Sequence, residues 1–249
     1  MLAAYVLHQY NWSETSLIVD LFTREQGRLV VVAKGAKRPY SQLRPVLLPF
    51  QRILVAVGKV GRSTPTDDSA PEVQTLRGAE WGGGAVMPGG AALFNGFYLN
   101  ELLMKLLARQ DAHPALFDAY AATLPALGDA DPAQAALRAF ELKLLQSVGL
   151  LPDLSLVTLT VTPVDPLQHY CLLPEAGVSQ ARGHKDLPGS ALIAVQAALL
   201  HGSLPALQQA CALALPAWRS ALRALLHYHL GTSTLRTRQL MIELQSLER

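Results

Sequence analysis

Cysteine is almost missing from this 249-residue chain: Cys171 and Cys211 stand forty residues apart, with no Cys-x-x-Cys anywhere. A disulfide-built secreted domain is thereby excluded, and a structural zinc site has no ligand framework. Charge is scarce too, at 16% of residues, and evenly split between 21 Lys and Arg and 19 Asp and Glu. A net charge of +2 points to no partner. Residues 187–218 hold no charged side chain, but Pro188, Gly202, Pro205 and Pro216 interrupt them. The unbroken part, 190–201, is too short to cross roughly 30 Å of hydrocarbon, so buried helices are expected and no membrane partner. The opening MLAAYVLHQYNW has no basic stretch ahead of a long apolar run, so no secretory leader is expected. Half of the residues are hydrophobic, which excludes a wholly disordered chain.

Catalytic patterns are lacking as well. There is no phosphate-binding G-x-x-x-x-G-K-[ST], and Gly58 to Ser63 (GKVGRS) echoes it only in the wrong order. Gly82 to Gly90 does not fit G-x-G-x-x-G, and no strand feeds it. No H-E-x-x-H, G-x-S-x-G or calcium-loop pattern occurs. His227 and His229 are two residues apart, on different faces of a helix, which does not suit a shared metal. Cys171 and Cys211 read as small core residues of an apolar strand and an apolar helix. Glu101 and Glu141 lie among leucines and read as capping or ion-paired carboxylates. No carboxylate pair suits acid–base work, so an enzyme is not expected, and neither is a cofactor.

Two textures are present. Through residue 80, short runs of Val, Ile, Leu and Thr alternate with turn residues. Ser16–Thr23 and Arg28–Ala33 read as strands joined by Arg24-Glu25-Gln26-Gly27, whose glycine can take positive φ. Tyr5–Tyr10, Ile53–Val57 and Val73–Leu76 complete five strands, a small barrel or sandwich, with Pro49 at a strand start. Residues 63–71 read as a solvated loop and 81–90 as a linker. From Ala91 the period lengthens: Leu93, Phe97, Leu99, Leu102, Leu103 and Leu106 mark a helix. Pro114 opens another, and Asp131-Pro132 suits the start of a third that stops at Gly149. Residues 154–161 and 169–173 turn strand-like, a small β lobe at about 154–183; four helical segments follow at 190–201, 204–215, 217–230 and 233–247. The expected fold is α+β and multidomain, with a β-barrel in 1–80 and a helical domain in 91–249.

The charge is unevenly placed. Between Arg24 and Arg62 lie nine basic residues and one acidic, Glu25. From Gly82 onward there are 11 basic and 12 acidic. The densest stretch, Lys34 to Arg44 (KGAKRPYSQLR), carries Lys34, Lys37, Arg38 and Arg44 with Tyr40 among them. Lysine and arginine neutralise phosphates and displace condensed counterions. An exposed tyrosine can stack a base. A small barrel with such a loop is what oligonucleotide-binding barrels look like. The competing reading is a merely solvated charge run.

Taken in order, Trp12-Ser13-Glu14-Thr15-Ser16-Leu17, Leu21-Phe22-Thr23, Gly27-Arg28, Val32-Ala33-Lys34-Gly35-Ala36 and Leu48-Pro49-Phe50 resemble the RecO family of bacterial DNA recombination and repair proteins. Tyr98 to Leu103, Leu137 to Leu142 and Leu235 to Leu240 continue the resemblance nearly to the end. It implies an N-terminal oligonucleotide-binding (OB) barrel and a C-terminal helical domain. It implies a cytoplasmic, nucleoid-associated mediator that binds single- and double-stranded DNA and anneals complementary strands. It also implies engagement of the C-terminal tail of the single-stranded-DNA-binding protein and, with RecR, help in loading RecA. The expected DNA contacts are Arg24, Arg28, Lys34, Lys37, Arg38, Tyr40 and Arg44. The expected tail contacts are Arg138 at the family-like position, Lys143 and Phe140, the last also readable as core. Many family members hold a four-cysteine zinc module where this chain has one cysteine, so no zinc is expected here. The competing function is a scaffold whose basic barrel recognises an acidic protein. A cryptic nucleotidyltransferase lacks both paired carboxylates and a phosphate loop.

Overall fold

The computed structural model describes residues 1–58, 73–84, 89–128, 130–181, 186–231 and 235–247, with only the backbone at 91, 130, 131, 241, 242 and 244–247. The expected loop at 63–71 and residues 85–88 of the expected linker lie outside the described residues. By internal contacts the chain divides into two compact units, Met1–Pro125 and Ala126–Arg249. The first unit therefore includes the first two helices, which the sequence texture groups with the helical domain.

Five strands form the first unit's barrel: β1 (Leu2–Asn11), β2 (Leu17–Thr23), β3 (Gly27–Ala33), β4 (Arg52–Gly58) and β5 (Gln74–Trp81). They close in the order β1-β2-β3-β5-β4, the OB fold, with β3 and β5 parallel and the other pairs antiparallel. Alternation does the sorting. Ala4, Val6, Val19, Leu21, Leu29, Val31, Ile53, Val55 and Leu76 point inward and are buried together. Gly27 turns β2 into β3 at φ 68°, as the hairpin loop requires. Pro49 does not start a strand. It bridges Val6 in isolation, and β4 begins three residues later, where its N–H groups can pair with β1 and β5.

One irregularity in β1 shapes everything near it. Val6 pairs with Leu21 but His8 pairs with Asp20, so Leu7 is an extra residue, a β-bulge. Before it the even positions face the core; after it Gln9 and Asn11 stand opposite the core-side Val19 and Leu17. His8 and Tyr10 are thereby turned outward. The Leu7 carbonyl is not left bare. It accepts a hydrogen bond from Asn100 Nδ2 at 3.0 Å, and Asn100 Oδ1 accepts one from Tyr120 Oη at 2.6 Å. Burial raises the Tyr120 phenol well above its usual pKa, so it stays a donor.

Asn100 belongs to α1 (Gly90–Leu106) and Tyr120 to α2 (Pro114–Thr123). Tyr5, Phe22, Phe117 and Tyr120 pack as one aromatic cluster against the barrel's outer wall, with ring centroids 5.0–6.3 Å apart. Each such buried side chain contributes on the order of 2 kcal/mol. Phe50 lies over Gly96 of α1, where any Cβ would come within 2.7 Å of the ring, and it meets Phe97 edge to face at 5.1 Å. It holds a left-handed φ of 66° to do so.

The second unit contains α3 (Ala130–Ser147), a β lobe, and then α4 (Gly189–His201), α5 (Leu204–Ala212), α6 (Leu215–Leu230) and α7 (Arg236–Leu247). Helix α3 starts at Ala130, one residue before the expected cap, and closes beyond its end with Leu150 N donating to Leu145 O at 2.8 Å. Ser203 caps α5, its Oγ accepting from Ala206 N at 3.3 Å. Helix α5 packs against α3 and α4, and α6 against α3. In the lobe, β6 (Leu156–Val157) pairs β7 (Thr162–Pro163), while β8 (His169–Leu173), β9 (Gly177–Gln180) and β10 (Leu187–Pro188) form a sheet in the order β10-β8-β9. The expected strand over 154–161 is thus a tight hairpin. Val161 N closes it onto Val157 O at 2.8 Å, and Leu159 and Val161 face solvent. Its strand-like composition finds no long neighbour to pair with, and β preference follows such context. Among the described residues no helix is long and apolar enough to cross a membrane.

Candidate nucleic-acid interface

The chain between β3 and β4 is a series of turns plugged into the barrel by a few apolar residues. Ala36 and Leu47 are buried in the barrel core, and Leu43 and Val46 pack against it. Backbone bonds hold the turns: Lys37 N to Thr15 O at 3.0 Å, Arg38 N to Gly35 O at 3.1 Å, Ser41 N to Arg38 O at 3.0 Å, and Leu47 N to Leu43 O at 2.9 Å. Gln9, the inward residue after the bulge, donates its side-chain amide to Leu47 O. With Ala36, Leu43, Val46 and Leu47 committed inward, the loop turns Lys34, Lys37, Arg38, Tyr40 and Arg44 outward, all exposed. Tyr40 is 96% exposed. With Arg44, Pro39, Pro45 and Leu48 it lines an open concavity of about 550 Å³. Lys37 Nζ donates to Ser13 O at 2.9 Å, which leaves its charge uncompensated. Among the described residues none of the four cations has a carboxylate partner. The result is a preorganised, solvent-facing positive surface that can receive phosphates.

The two other expected DNA contacts behave differently. Arg28 is only 14% exposed and forks onto Asp20, itself 2% exposed, with both nitrogen–oxygen distances 2.8 Å. A third donor reaches Met104 O. The bonds to Asp20 push the Arg28 pKa up. Arg24 forks onto Asp118 of α2 at 2.9 Å and 2.9 Å, and this holds the Asp118 carboxyl below its usual range. These arginines join elements of the first unit. A phosphate at Arg28 would first have to displace a buried carboxylate.

The expected tail contacts lie on α3 of the second unit. Arg138 is 8% exposed, with its guanidinium 2.5 Å from the fully buried Glu141. Phe140 is fully buried. Lys143 is half-buried and donates to Gln146 Oε1 at 3.1 Å. The structure brings the three onto one helix, but neither Arg138 nor Phe140 faces solvent. Glu101 is ion-paired too, 3.7 Å from Lys105.

The cysteines also differ. Cys211 is fully buried, and burial, with Glu141 nearby, pushes its thiol up to about 12. Cys171 is only half-buried and donates to Asp186 Oδ1 at 3.2 Å, so it is not the core residue expected. One cysteine bonded to one carboxylate does not fit a four-thiolate zinc module.

Comparison with known sequences decides the family. The model described as Recombination protein O N terminal matches residues 2–65, and that described as Recombination protein O C terminal matches residues 90–239. This chain belongs to the RecO family. A protein named DNA repair protein RecO from Polaromonas naphthalenivorans is 52% identical over 98% of this chain and 96% of its own length. One of the same name from Variovorax paradoxus is 50% identical over the same shares. The RecO family places the chain in DNA repair and recombination. Within this RecO-family barrel, the Leu48-Pro49-Phe50 segment seats Phe50 on Gly96, and Asn100 joins the bulge to α2. Sequence reasoning missed Asn100 and the carboxylates Asp20 and Asp118. A polar residue inside an apolar helix was the one available signal for the first.

Proposed function

We propose that this protein acts in recombinational repair as a non-enzymatic mediator whose barrel holds DNA by its phosphates. The observation that carries the reading is the run of exposed cations Lys34, Lys37, Arg38 and Arg44 on a loop anchored by buried Ala36 and Leu47. Phosphate contacts position a nucleic acid without reading its sequence, and no groove-reading helix accompanies them among the described residues. Single and double strands would both bind, and two neutralised strands lying on one surface could anneal. Family membership supports engagement of the single-stranded-DNA-binding protein's tail and of RecR, with RecA loading as the outcome, in the cytoplasm. For the tail, Lys143 is the member of the expected trio that retains exposed surface. Arg138 would contribute by holding α3 together.

Fluorescence anisotropy with labelled single- and double-stranded oligomers, challenged by an acidic peptide, tests the reading. Binding of both oligomers that the peptide displaces only weakly is expected. Tight binding of the peptide and none of DNA at low salt would instead favour an acidic-protein scaffold.

A further inference from the structure

The outer face of β1 carries exposed rings that the phosphate surface does not use. The bulge at Leu7 turns His8 and Tyr10 outward, and Trp12 follows at the head of the hairpin into β2. His8 is exposed, Tyr10 is 46% exposed and Trp12 65% exposed. The His8 and Tyr10 rings meet edge to face, 4.4 Å apart. Across the sheet, Tyr10 lies opposite Ile18 and Ile18 opposite Val32, both half-buried. The row therefore continues as an apolar ledge over three strands.

The phosphate-binding loop borders this ledge. Lys34 is the next outward position after Val32, one residue beyond β3. Lys37 is bound to Ser13 O and Thr15 O in the same hairpin head as Trp12. Asp20, on the outer face, is already neutralised by Arg28, so Glu14 is the one carboxylate of the hairpin head. Exposed aromatic area beside cations is the composition of a single-strand stacking platform.

We infer that Tyr10 and Trp12 stack the bases of single-stranded DNA whose phosphates lie on the Lys34–Arg44 loop. This rests on the reading of the loop as a phosphate surface and adds to it a preference for single strands, because a duplex hides its base faces.

The test compares oligothymidine, an abasic phosphodiester of equal length and a duplex. Each is titrated against the full chain, the Tyr10→Ala/Trp12→Ala variant and the Tyr10→Phe/Trp12→Phe variant. Stacking is worth enough that affinity of the alanine variant for oligothymidine should fall about tenfold or more per ring. Its salt slope, and its affinity for the abasic strand and the duplex, should not change. The phenylalanine variant should keep most of the binding. Undiminished oligothymidine binding by the alanine variant would overturn the inference while leaving the phosphate surface standing. So would equal losses on the oligothymidine and the abasic strand. Failure of the unaltered chain to bind any of the three at low salt would instead remove the reading on which the inference rests.

Discussion

Arg28 and Arg38 carry the same charge on the same small barrel, ten residues apart, and do opposite things. Arg28 lies on a strand with its guanidinium folded onto a buried carboxylate and a helix carbonyl. Arg38 lies on a turn with no carboxylate in reach among the described residues, and faces water. The difference comes from the backbone beneath them. A strand in a closed barrel can aim a side chain at its neighbours, whereas the turns after β3 anchor through Ala36, Leu43, Val46 and Leu47 and leave the cations outside. A count of positive charge merges these populations; only the second is available to a ligand.

The sharpest way to break this comparison is to remove Arg28. Arg28→Ala leaves Asp20 buried without its cation, which should cost about 3 kcal/mol or more in urea unfolding. The fraction still folded should bind DNA with nearly undiminished affinity. Arg138→Glu extends the test to the second unit by setting a carboxylate against the fully buried Glu141. It should destabilise by a similar amount, about 3 kcal/mol, so loss of tail-peptide binding in that variant would report unfolding. Lys143→Glu is the cleaner probe: it should lower peptide affinity with an unchanged melting temperature.

A smaller effect is expected at Asn100→Leu, which removes the buried bonds that Asn100 makes to the Leu7 carbonyl and the Tyr120 hydroxyl. About 2 kcal/mol should be lost, and amide exchange should quicken first around the bulge. Smallest is Arg24→Ala, on an exposed pair. Asp118 has a depressed pKa in the fold, so its contribution is present above the unfolded carboxylate pKa. It is lost as pH falls through the folded one. In the variant, carbon-detected NMR should show Asp118 titrating nearer the ordinary carboxylate range, and the acid limb of the stability profile should flatten slightly.

Much of the architecture can be read from local pattern. Alternating Val, Ile and Leu with Gly27 between two runs is enough for β2 and β3, and Leu99, Leu102 and Leu103 for α1. Local pattern fails where a partner is distant. The bulge at Leu7 is stabilised by Asn100, 93 residues on, and Arg28 reaches Met104, 76 residues on. Neither pairing leaves a mark within a ten-residue window. Residues 154–161 mislead for the same reason, since their alternation is that of a longer strand, whereas only Leu156 and Val157 pair, in a tight hairpin with Thr162 and Pro163. The cations of the Lys34–Arg44 loop were legible as a group. That Arg24 and Arg28 do not belong with them was not, because what separates the two is a carboxylate partner distant in sequence or hidden in the fold, Asp118 for Arg24 and Asp20 for Arg28.

The most direct test of the central claim is the salt dependence of single-strand binding, measured by anisotropy for the unaltered chain and for Lys34→Ala/Arg38→Ala/Arg44→Ala. The loop variant should unfold within about 0.5 kcal/mol of the parent. Its affinity at low salt should be much weaker, with the slope of log K against log salt smaller by roughly two units. An unchanged affinity and slope in a variant folded as well as the parent would contradict the account, and would move the DNA surface away from this loop.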